Sequence, residues 1–280
     1  MILFLKLCFK NLYRFLTDAG YRNFIFLVIK FSGRKRNDPF HMKFKGRKIK
    51  VIDALSFVWQ YWDIFTEEFY CFDAKNDRPV ILDVGSNIGM SIIFFKLKYP
   101  GSVVYGFEPD PTAFEALSEN MKSFGFPEDS VLINRAAAWI DNNGTGLNLS
   151  GADASYIASG ESLTSGSVKV ETIRLKEIIE KQERIDFLKM DIEGAEIPVI
   201  EDCSASLNKI DHLFIEYHSF PGQAQDLDKL LSIIKSSGFR IQVNSPFRYP
   251  RPFIRKSLHP YPDMDVQLNI FAFRNEETNG

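Results

Sequence analysis

Two groups of residues in this chain have types and spacing suited to gripping a nucleotide-like ligand. The first is V-I-L-D-V-G-S-N-I-G at residues 80–89, an apolar run ending in an acid, then two glycines and an apolar helical pattern. That order encodes a buried strand, a tight turn and a helix start, the place where an open α/β sheet holds its ligand. Gly85 admits the backbone close to a ligand, and Gly89 allows the new helix to pack closely on the sheet. Ser86 and Asn87 add short polar groups. The spacing is G-x-x-x-G, so the middle glycine that meets a pyrophosphate in a dinucleotide site is replaced by Asn87. The second group is G-F-E-P-D-P at residues 106–111. Glu108 ends a second strand, where a carboxylate accepts both hydroxyls of a ribose and repels a 2′-phosphate. Pro109 and Asp110 extend this edge, although Asp110 before Pro111 reads equally as a helix cap. Asp83 would repel a pyrophosphate but attract a cationic amino group. An adenosine with a free ribose, no phosphate and a charged amino-acid tail fits all three features, which is the structure of S-adenosylmethionine.

These residues need a sheet to position them. Strands are expected at 80–84, 103–107, 131–136, 185–190 and 213–217, the third ending at Ala136 beside the ligand edge. Helices are expected at 88–98, 112–124, 175–181, 195–200 and 225–236. Strands alternating with helices predict an α/β fold with a mainly parallel sheet covered on both faces. Residues 239–243 and 267–273 read as two strands with no helix between them, because the intervening segment is rich in proline; they predict an antiparallel pair at one sheet edge. Residues 144–166, rich in Gly, Ser, Asn and Ala, predict a long loop or loose hairpin. The aromatic segment 54–72 is expected to pack as a helix near the mouth of the main domain. There is no internal repeat.

The chain has 280 residues, a formal net charge of −2, 45% hydrophobic and 25% charged residues, and 26 phenylalanines. This describes a globular chain with a large Phe-packed core and excludes a polyanion binder in the whole-molecule sense, so nucleic acid is not an expected partner. The three cysteines, Cys8, Cys71 and Cys203, form no C-x-x-C or Cys/His cluster, which fits a reducing, cytoplasmic compartment without a disulfide framework or structural zinc. No stretch approaches the roughly 20 apolar residues of a membrane span. The N-terminus, interrupted by Lys6 and Lys10, is a poor signal peptide. Residues 1–58 are expected to form a helical and basic extension, with 59–280 as the main domain. The basic stretch from Arg34 to Lys50 is expected to be a solvated loop, with contact to an anionic membrane surface as the functional alternative.

With K-M-D-I-E-G-A-E at residues 189–196 and I-E-Y-H at 215–218, the four motifs resemble the FkbM family of S-adenosylmethionine-dependent methyltransferases. The resemblance covers roughly residues 59–273. It implies a class I methyltransferase (Rossmann-like) fold of seven strands in the order 3-2-1-4-5-7-6, with the seventh antiparallel, and methylation of hydroxyl groups on sugars or polyketide-type products. A glycan, glycolipid or small-molecule hydroxyl is therefore the expected acceptor.

Methyl transfer from a sulfonium is an in-line displacement, and the acceptor hydroxyl must lose its proton near the transfer. Asp191 at the end of the fourth strand, Glu193 in the next turn, and Glu216 and His218 at the end of the fifth are the expected catalytic set. Asp191 doubles as a cofactor ligand, and His218 has the most suitable unperturbed pKa for a base. The same four side chains are oxygen and nitrogen donors suited to magnesium or manganese, but no spacing demands an ion, and a metal-free site is the expectation. Asp153 and Tyr156 in the Ser-rich loop, and Tyr249 and Arg251 in the proline-rich segment, are expected to wall the acceptor site. Two competing readings are a nicotinamide-dependent oxidoreductase on a Rossmann-type sheet and a non-catalytic binding module.

Overall fold

A computed structural model of the chain describes residues 10–148, 156–157, 167–222, 224–246 and 264–274. Helices α1 (Lys10–Thr17) and α2 (Ala19–Phe31) lead into a hairpin of β1 (Phe40–Phe44) and β2 (Arg47–Val51), then α3 (Ala54–Tyr61) and a π-helical turn, Trp62–Thr66. The sheet begins with β3 (Val80–Val84), followed by α4 (Met90–Lys98), β4 (Val103–Phe107), α5 (Pro111–Phe124) and β5 (Val131–Asn134). Short strands β6 (Ala137–Trp139), β7 (Thr145–Asn148), β8 (Tyr156–Ile157), β9 (Ser167–Val170) and β10 (Thr172–Arg174) precede α6 (Leu175–Lys181). The chain continues with β11 (Ile185–Met190), α7 (Glu196–Cys203), β12 (Ile210–Ser219), α8 (Leu227–Ser236), β13 (Arg240–Asn244) and β14 (Val266–Phe273).

The main sheet runs β5-β4-β3-β11-β12-β14-β13. The first five strands are mutually parallel, and β14 is antiparallel to both β12 and β13. Numbered within the sheet this is 3-2-1-4-5-7-6 with the seventh strand reversed, the expected class I methyltransferase topology. The irregular stretch after residue 144 includes an antiparallel pairing of β7 with β9 and β8. The expected third strand is shorter: it stops at Asn134, and the chain bends before β6 pairs in parallel with β10.

The expected basic loop is an ordered hairpin. Phe40-His41-Met42-Lys43-Phe44 alternates apolar and polar side chains, and Lys45 (φ 47°) and Gly46 (φ 84°) make a two-residue turn with both residues left-handed. Asn120 of α5 holds the hairpin down: its Oδ1 accepts from Lys50 N at 2.7 Å, and its Nδ2 donates to Lys50 O and to Ile88 O. Phe31, Phe44, Ile49, Phe57 and Tyr61 share one apolar core with Ile81, Phe95 and Phe187, so residues on both sides of position 58 pack together. A second core on the opposite sheet face joins Leu82, Val84, Leu188 and Ile215 to α6, α7 and α8.

Strand periodicity then sorts the site. Ile81, Phe187 and Phe214 lie in the first core, and two residues on along each strand come Asp83, Lys189 and Glu216. One face of the sheet is thus apolar at its middle and charged at its carboxyl edge.

Candidate active site

The turn after β3 is built by Ser86 and Phe107. The amides of Gly85 and Ser86 both donate to Phe107 O at 3.0 Å, Ser86 Oγ donates to Asp83 O, and Phe107 N donates back to Ser86 Oγ. Gly85 has φ +88°, and a Cβ there would lie 1.9 Å from Asp191 O. The glycine is therefore required by the close passage of the Asp191 carbonyl as well as by its place in the cavity wall. Gly89 (φ +88°) caps α4, and a Cβ on it would meet Leu117 and Met121 at 2.7 Å. Its close contact is with α5, where the sequence suggested the sheet.

Glu108 is buried. Its Oε2 accepts from Asn87 N at 2.7 Å and its Oε1 from Asp110 N at 2.9 Å. Burial raises its carboxyl to about 7, against the pull of these two amides. Asp110 caps α5, accepting from Thr112 N and Ala113 N, and also lines the cavity beside Pro109.

Asp83 does not line the cavity. It is fully buried, its Oδ2 accepts from Ser91 Oγ at 2.6 Å, and its Oδ1 lies 3.7 Å from Lys189 Nζ. The cationic amine drawn to Asp83 is the chain's own lysine, which stands directly opposite it in the β3–β11 register. Lys189 Nζ also donates to Gly85 O and lies 3.4 Å from Asp191 Oδ2. Burial works to lower its pKa, but the Asp191, Asp83 and Glu216 charges win and raise it. Lys189 thus ties the glycine turn to the end of β11. Ala136 is buried outside the cavity lining, and Ala137 and Ala138 occupy the wall instead, because the chain bends after Asn134.

The four acceptor-side residues converge. His218 Nε2 lies 3.7 Å from both Glu193 Oε2 and Glu216 Oε1, while its Nδ1 is 3.0 Å from Glu196 Oε1. Asp191, Glu193 and His218 present ligand atoms all within 4.8 Å of one another. Burial alone would lower the His218 pKa, but Glu193, Glu196 and Glu216 raise it well above the ordinary value. The imidazole thus sits among carboxylates that favour its protonated form, and is not a free base of unperturbed pKa. Burial likewise raises the carboxyls of Glu193 and Glu216. Glu196, in the first turn of α7, accepts from the amides of Ile192 and Gly194 and so fixes the turn that carries Glu193 (φ 53°). Gln267, opposite His218 on β14, donates through Nε2 to Glu216 Oε1.

Asp63, Tyr70, Glu196 and Gln267 are site residues that sequence reasoning did not single out. Asp63 sits in the π-helical turn, a local geometry that often marks functional positions. Burial, with Glu216 and Glu67 nearby, raises its carboxyl to about 8. Tyr70 packs between Phe95 and Phe214. The aromatic segment 54–72 does line the mouth, with Trp59 and Trp62 in the wall. Asp153, Tyr249 and Arg251 lie outside the described residues, and of Tyr156 only its place in β8 is described.

Gly85, Asn87, Glu108, Asp191, Glu193, Glu216 and His218 border one cavity of about 1200 Å3. Turn 85–87 touches Glu108 through the Asn87 amide and backs onto Asp191 through Gly85. The family model for the FkbM methyltransferase domain matches residues 83–241, more than half of the chain. The chain belongs to the FkbM methyltransferase family. It is an S-adenosylmethionine-dependent methyltransferase of class I fold, which displaces the oxidoreductase reading. Among its relatives, hexuronic acid methyltransferase AglP of Haloferax volcanii is 28% identical over 199 residues, 67% of this chain and 77% of that protein. The 31-O-demethyl-FK506 methyltransferase FkbM of Streptomyces tacrolimicus is 25% identical over 230 residues, 70% and 86% of the two chains. The 2-O-methyltransferase NoeI of Sinorhizobium fredii is 32% identical over 157 residues, 50% and 63%. A crystal structure of methyltransferase FkbM from Methylobacillus flagellatus KT is similar with a TM-score of 0.45 at 17% identity, over 71% of this chain and 45% of that one.

Proposed function

We propose that this FkbM-family enzyme transfers the methyl group of S-adenosylmethionine to a hydroxyl of a sugar, glycan or glycolipid intermediate. The carrying observation is the single cavity that joins a ribose-gripping carboxylate, Glu108, to the acid–histidine cluster of Asp191, Glu193, Glu216 and His218. Its volume exceeds what most single small ligands occupy, leaving room for cofactor and acceptor together. The adenosine ribose donates to Glu108. The acceptor oxygen gives its proton to the Glu216 carboxylate, held by Gln267 and flanked by His218 Nε2 at 3.7 Å. Its electron pair forms the new bond to the methyl carbon as the carbon–sulfur pair returns to sulfur. Positioning of the two reactants supplies much of the rate. The sugar acceptor is supported by AglP and NoeI, whose names record a hexuronic acid substrate and 2-O transfer.

The N-terminal elements are read as a peripheral membrane contact. Residues 10–50 hold twelve Lys and Arg against two Asp and no Glu, on a chain of net charge −2. Leu12, Leu16, Phe26 and Ile29 are each more than half exposed on α1 and α2. Exposed apolar side chains on basic helices suit an anionic lipid surface. No described helix is long and apolar enough to cross a membrane.

The test is methyl transfer from S-adenosylmethionine to a panel of uronic acids, neutral sugars, lipid-linked saccharides and amines, read by mass spectrometry. The expected product carries one new methyl ether on a sugar oxygen. Methylation of amines alone, with every hydroxyl acceptor untouched, would contradict the reading.

A further inference from the structure

The carboxyl ends of β11 and β12 gather more carboxyl groups than the neighbouring bases pair with. Asp191, Glu193, Glu196, Glu216 and Asp63 gather there around His218 and Lys189, while Arg14 and Arg36, which also line the cavity, pair with Glu67 and Asp53. Lys189 is committed elsewhere, to Asp83, Asp191 and the Gly85 carbonyl. A sulfonium balances part of this charge but offers no lone-pair acceptor to the donor atoms.

Three of those groups lie close enough together to converge on one ion. One oxygen of Asp191, one of Glu193 and one nitrogen of His218 all lie within 4.8 Å of one another. In a facial arrangement the ligand atoms are neighbours at about 90°, so bonds of about 2.1–2.4 Å place them about 3.0–3.4 Å apart. To reach that spacing the side chains would close by up to roughly 1.5–2 Å, through their own torsions. Two observations independent of the acidity point to a ligand between them. Glu193 Oε2 is a buried oxygen without a hydrogen-bond partner. The His218 side chain is 98% buried, yet its Nε2 stands 3.7 Å from the nearest carboxylate oxygens, too long for a hydrogen bond. Its other nitrogen is held at 3.0 Å by Glu196, the arrangement in which an outer carboxylate fixes the tautomer and aims the ligating nitrogen. Asn269, 96% buried, lines the same cavity opposite Glu216 on β14, and its Oδ1 also lacks a partner.

We propose that Asp191, Glu193 and His218 form a facial binding site for a divalent cation that takes the place of the proton on His218 Nε2, with the open positions directed to the acceptor hydroxyl. Two carboxylates and one imidazole suit manganese better than the all-oxygen shell preferred by magnesium. The acceptor oxygen donates a lone pair to the cation and so releases its proton more readily to Glu216, which stays outside the shell. The methyl transfer itself is unchanged: the oxygen's freed pair forms the carbon–oxygen bond and the carbon–sulfur pair returns to sulfur. This inference rests on the acceptor-side reading of the cavity and departs from the metal-free expectation of the sequence.

The test is calorimetric titration of chelator-treated full-length protein with Mn2+, alongside a separate titration with S-adenosylhomocysteine. One equivalent of Mn2+ is expected with a Kd below about 1 mM. Glu193→Gln and His218→Gln each weaken it at least tenfold, while S-adenosylhomocysteine binding stays within about threefold. Asp191→Asn, at a half-buried position, gives the same loss if either buried substitution lowers the melting temperature. Absent Mn2+ binding with intact S-adenosylhomocysteine binding overturns the cation site and leaves the methyltransferase reading standing. Mn2+ binding that none of the three substitutions weakens also overturns it. Mn2+ binding lost in all three variants, without any S-adenosylhomocysteine binding by the wild type, upholds the cation site and refutes the cofactor assignment of the cavity.

Discussion

The affinity for the cofactor should depend on pH through Glu108. Burial holds this carboxyl at about 7, against an ordinary value of 4.5. Asn87 N and Asp110 N each occupy one lone pair on its two oxygens, and each oxygen keeps a second. Two ribose hydroxyls fill those remaining acceptor positions only when the carboxyl is ionised, so binding selects the ionised form. Apparent affinity then scales with the ionised fraction. It should rise with pH up to about 7 and level off above it. One pH unit below, roughly a tenth of the protein is competent, an affinity loss of about tenfold or ~1.4 kcal/mol. Glu108→Gln removes the titration and two charge-assisted bonds, each worth about 1.5–3 kcal/mol before the amide's partial replacement. Its Kd should rise roughly 10–100-fold with the low-pH limb gone. The assay is calorimetry with S-adenosylhomocysteine from pH 5.5 to 8, in two buffers of different ionisation enthalpy to count the proton released. A Glu108→Gln profile that keeps the wild-type slope, or a Kd within twofold of wild type, refutes the reasoning.

Three further outcomes follow from the same geometry. Gly85→Ala forces a left-handed alanine, costing roughly 1–2 kcal/mol, and drives the Asp191 carbonyl out of contact with the new Cβ; turnover should fall about 100-fold or more with a melting temperature several degrees lower, and wild-type turnover would contradict this. Asp63 is held near 8 when folded, above its ordinary 3.8, so the folded protein keeps a proton that the unfolded chain has released. Stability is therefore lost as pH rises through that window, and the ligand-free melting temperature should fall from pH 5.5 to 8.5, with a shallower fall in Asp63→Asn; equal slopes would remove Asp63 as the cause. Leu16→Asp combined with Ile29→Asp should cut sedimentation with phosphatidylglycerol vesicles at least tenfold while leaving S-adenosylhomocysteine binding unchanged, whereas equal sedimentation of wild type and variant would exclude these helices as the contact.

Much of the sheet was legible because buried parallel strands are written as short apolar runs. Strands β3, β4 and β11 begin and end where the residue pattern places them. The antiparallel edge was readable from what separates its two strands, a proline-rich segment that cannot form a crossover helix. The hairpin at residues 40–51 was not, because its turn uses Lys45 and Gly46 where Asn-Gly would have announced it. In the site, Glu108, Asp191, Glu193, Glu216 and His218 were visible as acids and a histidine at strand ends. Lys189 was hidden inside a wholly buried strand, and its meaning appears only when the register sets it against Asp83. Asp63 and Glu196 act through a π-helical turn and a helix start that bring them to the cluster from elsewhere in the chain. For His218 the residue type suggested a base, but its three carboxylate neighbours come from different elements and raise its pKa well above the ordinary value.

The central claim is that one cavity holds S-adenosylmethionine with its ribose on Glu108 and its transferable methyl toward the Asp191–Glu193–His218 cluster. A crystal structure with bound S-adenosylhomocysteine tests it most directly. The account predicts both ribose hydroxyls within hydrogen-bond distance of the Glu108 carboxylate and the sulfur on the Asp191 side of the Gly85 turn. A ligand bound outside this cavity, or seated in it with the ribose away from Glu108, would contradict it.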